Sequence, residues 1–159
     1  MTEGLGVEDN VALLRTHVEA IGALEARLRR TDWADRGRTR HRLSYVLERF
    51  HLTHVCHYPH VGWGDIEEID IALARLGCKL CLLTADRSVL DTRVTDARTD
   101  PEWRTYLASL GADGREIMDH YAAQQEMFLE LRRASSMPSV VVDTSETEPS
   151  EAAEKVAAF

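Results

Sequence analysis

Lys79-Leu80-Cys81-Leu82-Leu83-Thr84 is a six-residue run of mainly apolar residues, bounded by Gly77 on one side and Asp86 on the other. A run of that length without alternating polar positions predicts a strand covered on both faces, as in a parallel sheet, rather than the half-wet strand of a hairpin. Two further stretches have the same character. Leu43 to Leu47 (LSYVL) precedes it, and Ser139 to Val142 (SVVV) follows Pro138. Amphipathic helical patterns fill the spaces between them. Alternation of that kind predicts a single three-layer α/β domain, a mainly parallel sheet with flanking helices.

The intervening segments support this layout. Val11, Leu14, Val18, Ile21, Leu24 and Leu28 recur at steps of three and four, the stripe of a long N-terminal helix. Residues 31–42 are polar and read as a connection, so residues 1–42 form a helical preface to a region running from 43 to 159. After Glu48-Arg49 comes a Gly-, Pro- and His-rich stretch that reads as a loop through Gly64. Asp65, with Glu68 three residues later, predicts a capped helix that carries Ile66, Ile69, Leu73 and Leu76 inward and stops at Gly77. Further helices are expected from Arg87, around Trp103 to Leu110, over 114–133 and from Pro149.

With 159 residues, 44% apolar and 29% charged, the chain is long enough for a real core. Its net charge of −8 argues against nucleic acid as a partner, and no apolar run suits a membrane span. The acidic N-terminus does not resemble a signal peptide, so a cytoplasmic location is expected. Two lysines, Lys79 and Lys155, stand against seventeen arginines. Cys78 and Cys81 match a C-x-x-C spacing, but residues three apart on a strand face opposite ways and are expected to pack as small core residues.

In a parallel sheet, ligands bind beyond the C-terminal ends of the strands. Those ends are Glu48-Arg49, the segment after Thr84, and Asp143-Thr144-Ser145. At these places the sequence resembles the thymidylate-kinase-like and nucleoside-kinase P-loop families. Tyr45-Val46-Leu47-Glu48-Arg49 is similar to their strand ending in an acidic-Arg pair. Leu82-Leu83-Thr84-Ala85, followed by Arg87 to Arg98, is similar to the strand and arginine-bearing helix leading into the LID. Val141-Val142-Asp143-Thr144-Ser145 is similar to the last strand and the turn bordering the nucleotide base. The resemblance implies phosphoryl transfer from ATP, with Mg²⁺, to a small nucleoside or nucleotide acceptor. It implies catalytic roles for Glu48 and Arg49, and substrate contacts for His51, Tyr58 and Trp63. Arg87, Arg93 and Arg98 would hold phosphate, and Asp143, Thr144 and Ser145 would lie by the base.

One part of the family's equipment is missing from these residues. A phosphate loop needs G-x-x-x-x-G-K-[ST], and no Gly-Lys dipeptide occurs. In the family, the strand leading into that loop is the sheet's central one. The expectation is therefore a P-loop-kinase-like fold without its central first strand, with no kinase activity of its own unless the loop is supplied upstream. The gap would be filled by rearrangement or by a homodimer, and a non-catalytic binding protein is the alternative function. A second alternative is a metal site at His51, His54, His57 and His60, which recur at intervals of three beside Cys56.

Overall fold

A computed structural model describes residues 6–30, 45–95 and 100–159, and these residues form seven helices and two strands. They fall into two compact units, residues 1–78 with 135–137, and residues 79–134 with 138–159.

The first unit is helical. Helix α1 (Val7–Arg29) begins at Gly6, whose N–H donates to the Asp9 carboxylate at 3.2 Å. Acidic residues in its first turn and arginines in its last complement the helix dipole. The expected stripe is buried at Val11, Leu14 and Val18, whereas Leu24 lies exposed. Helix α2 (His51–His57) occupies part of the expected loop. It ends at Tyr58, which is held extended, as the residue before a proline prefers. Helix α3 (Trp63–Arg75) is capped by Gly62, three residues before the expected cap at Asp65. Asp65 occupies its third position and reaches back to accept the Gly62 N–H at 2.7 Å. It buries Ile66, Ile69 and Leu73 against α1 and α2, and ends at Gly77, whose φ of 79° suits a residue without a side chain.

The second unit contains the sheet. Strands β1 (Leu80–Thr84) and β2 (Ser139–Asp143) pair in parallel, in register from Leu80↔Ser139 to Thr84↔Asp143. Helices α4 (Arg87–Thr95), α5 (Pro101–Leu110) and α6 (Gly114–Ala134) build a core around Val94, Leu107, Ile117 and Met118. Asp100 caps α5 by accepting the Trp103 N–H, and the Trp103 indole N–H donates to the Val94 carbonyl at 2.8 Å. Helix α7 (Pro149–Ala158) packs on β2.

This corrects the expected architecture. A largely helical chain with one two-stranded sheet is not a three-layer, mainly parallel sheet with flanking helices. The missing member is the run expected from Leu43 to Leu47. Residues 43 and 44 lie outside the described residues, and Tyr45, Val46 and Leu47 form no strand. A strand exists only where a neighbour takes its N–H and C=O groups. These three residues have no such neighbour among the described residues, and Val46 is 91% exposed. Nor is β1 covered on both faces along its length, since Leu83 is 62% exposed.

No helix among the described residues is long and apolar enough to cross a membrane.

Candidate functional site

Where β1 and β2 end side by side, the chain ties the two exits together. Thr144 donates to the Thr84 carbonyl from both its N–H and its hydroxyl, each at 2.8 Å. The Asp86 N–H donates to the Ser145 hydroxyl at 2.7 Å, and the Ala85 N–H to the Gln125 side-chain oxygen of α6 at 2.9 Å. Asp143 accepts both the N–H (2.8 Å) and the hydroxyl (2.6 Å) of Ser145. These two bonds, the hydroxyl's first, hold the Asp143 carboxyl below its ordinary pKa, and Lys155 and Arg93 add weaker pulls in the same direction.

Arg93, in the last turn of α4, completes the arrangement. Its guanidinium donates from one nitrogen to the Thr144 hydroxyl at 2.8 Å and from the other to the Thr144 carbonyl at 2.6 Å. Such a fork against two oxygens fixes the orientation of the guanidinium plane as well as its position. Four of the six residues expected near a nucleotide base or phosphate, Arg93, Asp143, Thr144 and Ser145, thus share one cluster. Arg87 points elsewhere and binds α6, through the Arg115 carbonyl at 3.3 Å and Asp119 at 2.5 Å. Arg98 lies outside the described residues.

The residues expected on the acceptor side all lie in the helical unit. Glu48 and Arg49 do not end a strand; they form an exposed turn before α2, with side chains 3.8 Å apart. Arg49 is the non-glycine residue with positive φ, 49°, among the described residues. A left-handed conformation costs such a residue about 1–2 kcal/mol. His51 turns inward and is buried. Tyr58 is partly exposed and stacks on His54 with ring centres 5.4 Å apart, and Trp63 opens α3 half-buried.

His51 leads to a group that the sequence reading missed. Its Nε2 lies 3.0 Å from Oδ1 of Asp70, and both side chains are almost wholly buried. The same oxygen accepts the Ser135 hydroxyl at 2.6 Å, and Oδ2 accepts the Ser136 N–H at 2.6 Å. The Ser135 oxygen also accepts the Met137 N–H at 3.1 Å. Burial pushes the His51 imidazole below its ordinary pKa, although the hydrogen bond to Asp70 opposes that shift. The neutral ring therefore carries its proton on Nε2 and donates it to the carboxylate. The sequence held one signal for this site. Asp70 lies four residues after Ile66 and three before Leu73, in the middle of an apolar stripe.

Two histidines of the run are engaged with other groups. His51 is committed to Asp70, and His54 Nδ1 contacts the Phe50 carbonyl at 3.2 Å. No group of three or more His, Cys, Asp or Glu side chains in position to hold a metal occurs among the described residues. Burial raises the pKa of all three free thiols, that of Cys56 to about 11, which disfavours the thiolate that a metal needs.

Both lysines are engaged structurally. Lys79 donates to the Phe159 carbonyl with its ammonium over the Phe159 ring, and Lys155 pairs with Glu151 at 2.9 Å. Comparison with family models, with curated proteins and with solved structures gives no match to this chain.

Proposed function

We propose that the chain is a nucleotide-binding protein of the nucleoside- and nucleotide-kinase kind, and that its ligand lies at the shared C-terminal end of β1 and β2. The observation that supports this reading is the Arg93 fork on Thr144, beside Asp143 and Ser145. Two segments about fifty residues apart, which the sequence resemblance assigns to phosphate and base, meet where a parallel pair ends. A fixed guanidinium suits a phosphate oxygen, and the Asp, Ser and Thr side chains offer the mixed acceptors and donors that a base or ribose needs.

The reading is one of binding rather than phosphoryl transfer. The residues present do not fit the triphosphate and Mg²⁺ of a working kinase. The 159 residues contain no Gly-Lys pair, and both lysines are tied to other groups. No transfer step is assigned to the chain. The Glu48-Arg49 turn keeps its proposed role as an acceptor-side pair, a carboxylate and a guanidinium open to solvent.

Calorimetric titration of the full chain with purine and pyrimidine nucleotides and their nucleosides tests this reading. Saturable binding is expected for at least one nucleotide. Arg93→Ala should weaken that nucleotide at least tenfold, about 1.4 kcal/mol, and its nucleoside much less. Absence of saturable binding at millimolar ligand refutes the reading, as does an Arg93→Ala chain that binds as well as the wild type.

The homodimer reading rests on a different observation, the exposure of Leu83 on a strand of a two-stranded parallel sheet. Sheets that small are marginal by themselves and gain from a further strand. Light scattering at micromolar concentration decides between dimer and monomer.

A further inference from the structure

Arg49 is held in a left-handed conformation, yet the side chains of the turn do nothing to hold it. The Glu48 and Arg49 side chains are 86% and 80% exposed, and an ion pair so exposed is screened by water. Strain of this kind persists only where the surroundings over-determine the backbone. Here the constraint comes from the residues that follow. The Phe50 ring packs edge-on against His17 of α1 and against His51, with centres 6.3 Å and 6.0 Å apart. One residue further, His51 is fully inside and bonded to Asp70. The chain must pass from a solvent-exposed Arg49 to a buried His51 within two peptide units. The left-handed residue makes that reversal.

Asp70 can serve as a fixed anchor because it is itself over-determined. Its carboxylate accepts three hydrogen bonds from two segments distant in sequence, His51 on one side and Ser135 with Ser136 on the other. Rotating the carboxylate to release His51 would also break the bonds to the serines.

We propose that Asp70 and His51 are positioning residues that set the conformation of the Glu48–Arg49 turn and so determine where its carboxylate and guanidinium are presented. Neither residue needs to touch a ligand. The consequence for ligand binding rests on the proposed acceptor-side role of Glu48 and Arg49. The conformational claim does not rest on it, and it is measured without ligand.

The experiment is NMR spectroscopy of the full chain. The readouts are the backbone couplings and carbon shifts of Arg49, the exchange rate of the Thr53 N–H (which donates to the Phe50 carbonyl) and the ring nitrogens of His51. In the wild type, Arg49 should show the values of a positive φ and His51 a proton on Nε2. His51→Leu should remove the positive-φ signature of Arg49. His51→Gln, whose amide nitrogen can replace Nε2, should restore it, a rescue that generic loss of packing would not give. Ser135→Ala, a milder change to the same anchor, should speed Thr53 exchange at least tenfold while α1 amides are unaffected. If His51→Leu does not fold, the Gln and Ala variants decide. An unchanged Arg49 in His51→Leu, or unchanged Thr53 exchange in Ser135→Ala, overturns the proposal. Failure of the wild type to bind any nucleotide would refute the proposed function and leave these readouts intact.

Discussion

Replacing Asp70 separates what its charge contributes from what its shape contributes. The carboxylate receives three donors in a site with essentially no solvent exposure. Asp70→Ala leaves all three without an acceptor, each costing about 1–3 kcal/mol when buried. The terms overlap, and breaking a buried charged pair by removing one partner typically costs about 3–5 kcal/mol. A loss of at least about 4 kcal/mol is therefore expected, a large part of the roughly 5–15 kcal/mol that holds a domain together. Asp70→Asn should behave differently. Its oxygen can accept the Ser136 N–H while its amide nitrogen faces Ser135 and His51. The ring can then accept at Nε2 if its proton moves to Nδ1. Bonds to a charged acceptor become neutral ones, a cost of about 2–3 kcal/mol. With urea slopes of about 1–3 kcal/mol per molar, the Asn variant should unfold roughly 1–2 M earlier but still cooperatively. Urea denaturation, with hydrogen exchange of the α3 amides, measures both variants, and nitrogen-15 spectra report the His51 tautomer. An Asp70→Ala chain within about 0.3 M of the wild-type midpoint would refute the reasoning. So would an Asp70→Asn chain of wild-type stability whose His51 keeps its proton on Nε2.

Stability should also fall in mild acid because of His51. Burial lowers its folded-state pKa from 6.5, against the pull of Asp70 and with a small push from His54. The unfolded chain therefore takes up this proton first as the pH drops. The contribution is complete above pH 6.5 and declines below it by up to about 1.4 kcal/mol per pH unit, until the folded ring also protonates. His51→Gln should flatten this part of the stability profile, and an unchanged slope in denaturant titrations would count against the site. Two glycines should respond to alanine for different reasons. At Gly77 (φ 79°) nothing lies within 4 Å of an added Cβ, so Gly77→Ala should cost only the backbone term, about 1 kcal/mol. At Gly111 the same atom would come within 2.6 Å of the Glu116 Cβ and 2.9 Å of the Ile117 nitrogen, so Gly111→Ala should cost more, about 1–3 kcal/mol. Thermal melts that rank the two the other way would contradict this.

The helices other than α2, which lies where a loop was expected, were legible in the sequence because a helix satisfies its own backbone, and its buried face shows as a local period. Val11, Leu14 and Val18 sit where their spacing puts them, and Gly77 acts at the boundary it marks. The sheet was less legible, since a strand's backbone groups need a partner from a distant part of the chain. Leu80–Thr84 and Ser139–Asp143 find each other, whereas Tyr45–Leu47, similar in composition, has no strand partner among the described residues and lies at the surface. The assumption that every buried-type run becomes a strand is what inflated the expected sheet.

The candidate residues divide along the same line. Arg93 and Asp143-Thr144-Ser145 meet because each follows a strand that does form. Glu48-Arg49 was expected at the end of one that does not, and it stands instead on an exposed turn before α2. Asp70 was passed over because its meaning depends on donors 19, 65 and 66 residues away. Its position was nonetheless informative. A carboxylate on an apolar stripe must be desolvated if the stripe is buried, and desolvation without donors costs more than a domain can spare. Such a residue implies that donors exist elsewhere in the chain. In this sequence a histidine before α3 and a pair of serines after α6 meet that requirement, and through His51 the same carboxylate reaches the turn that carries Glu48 and Arg49.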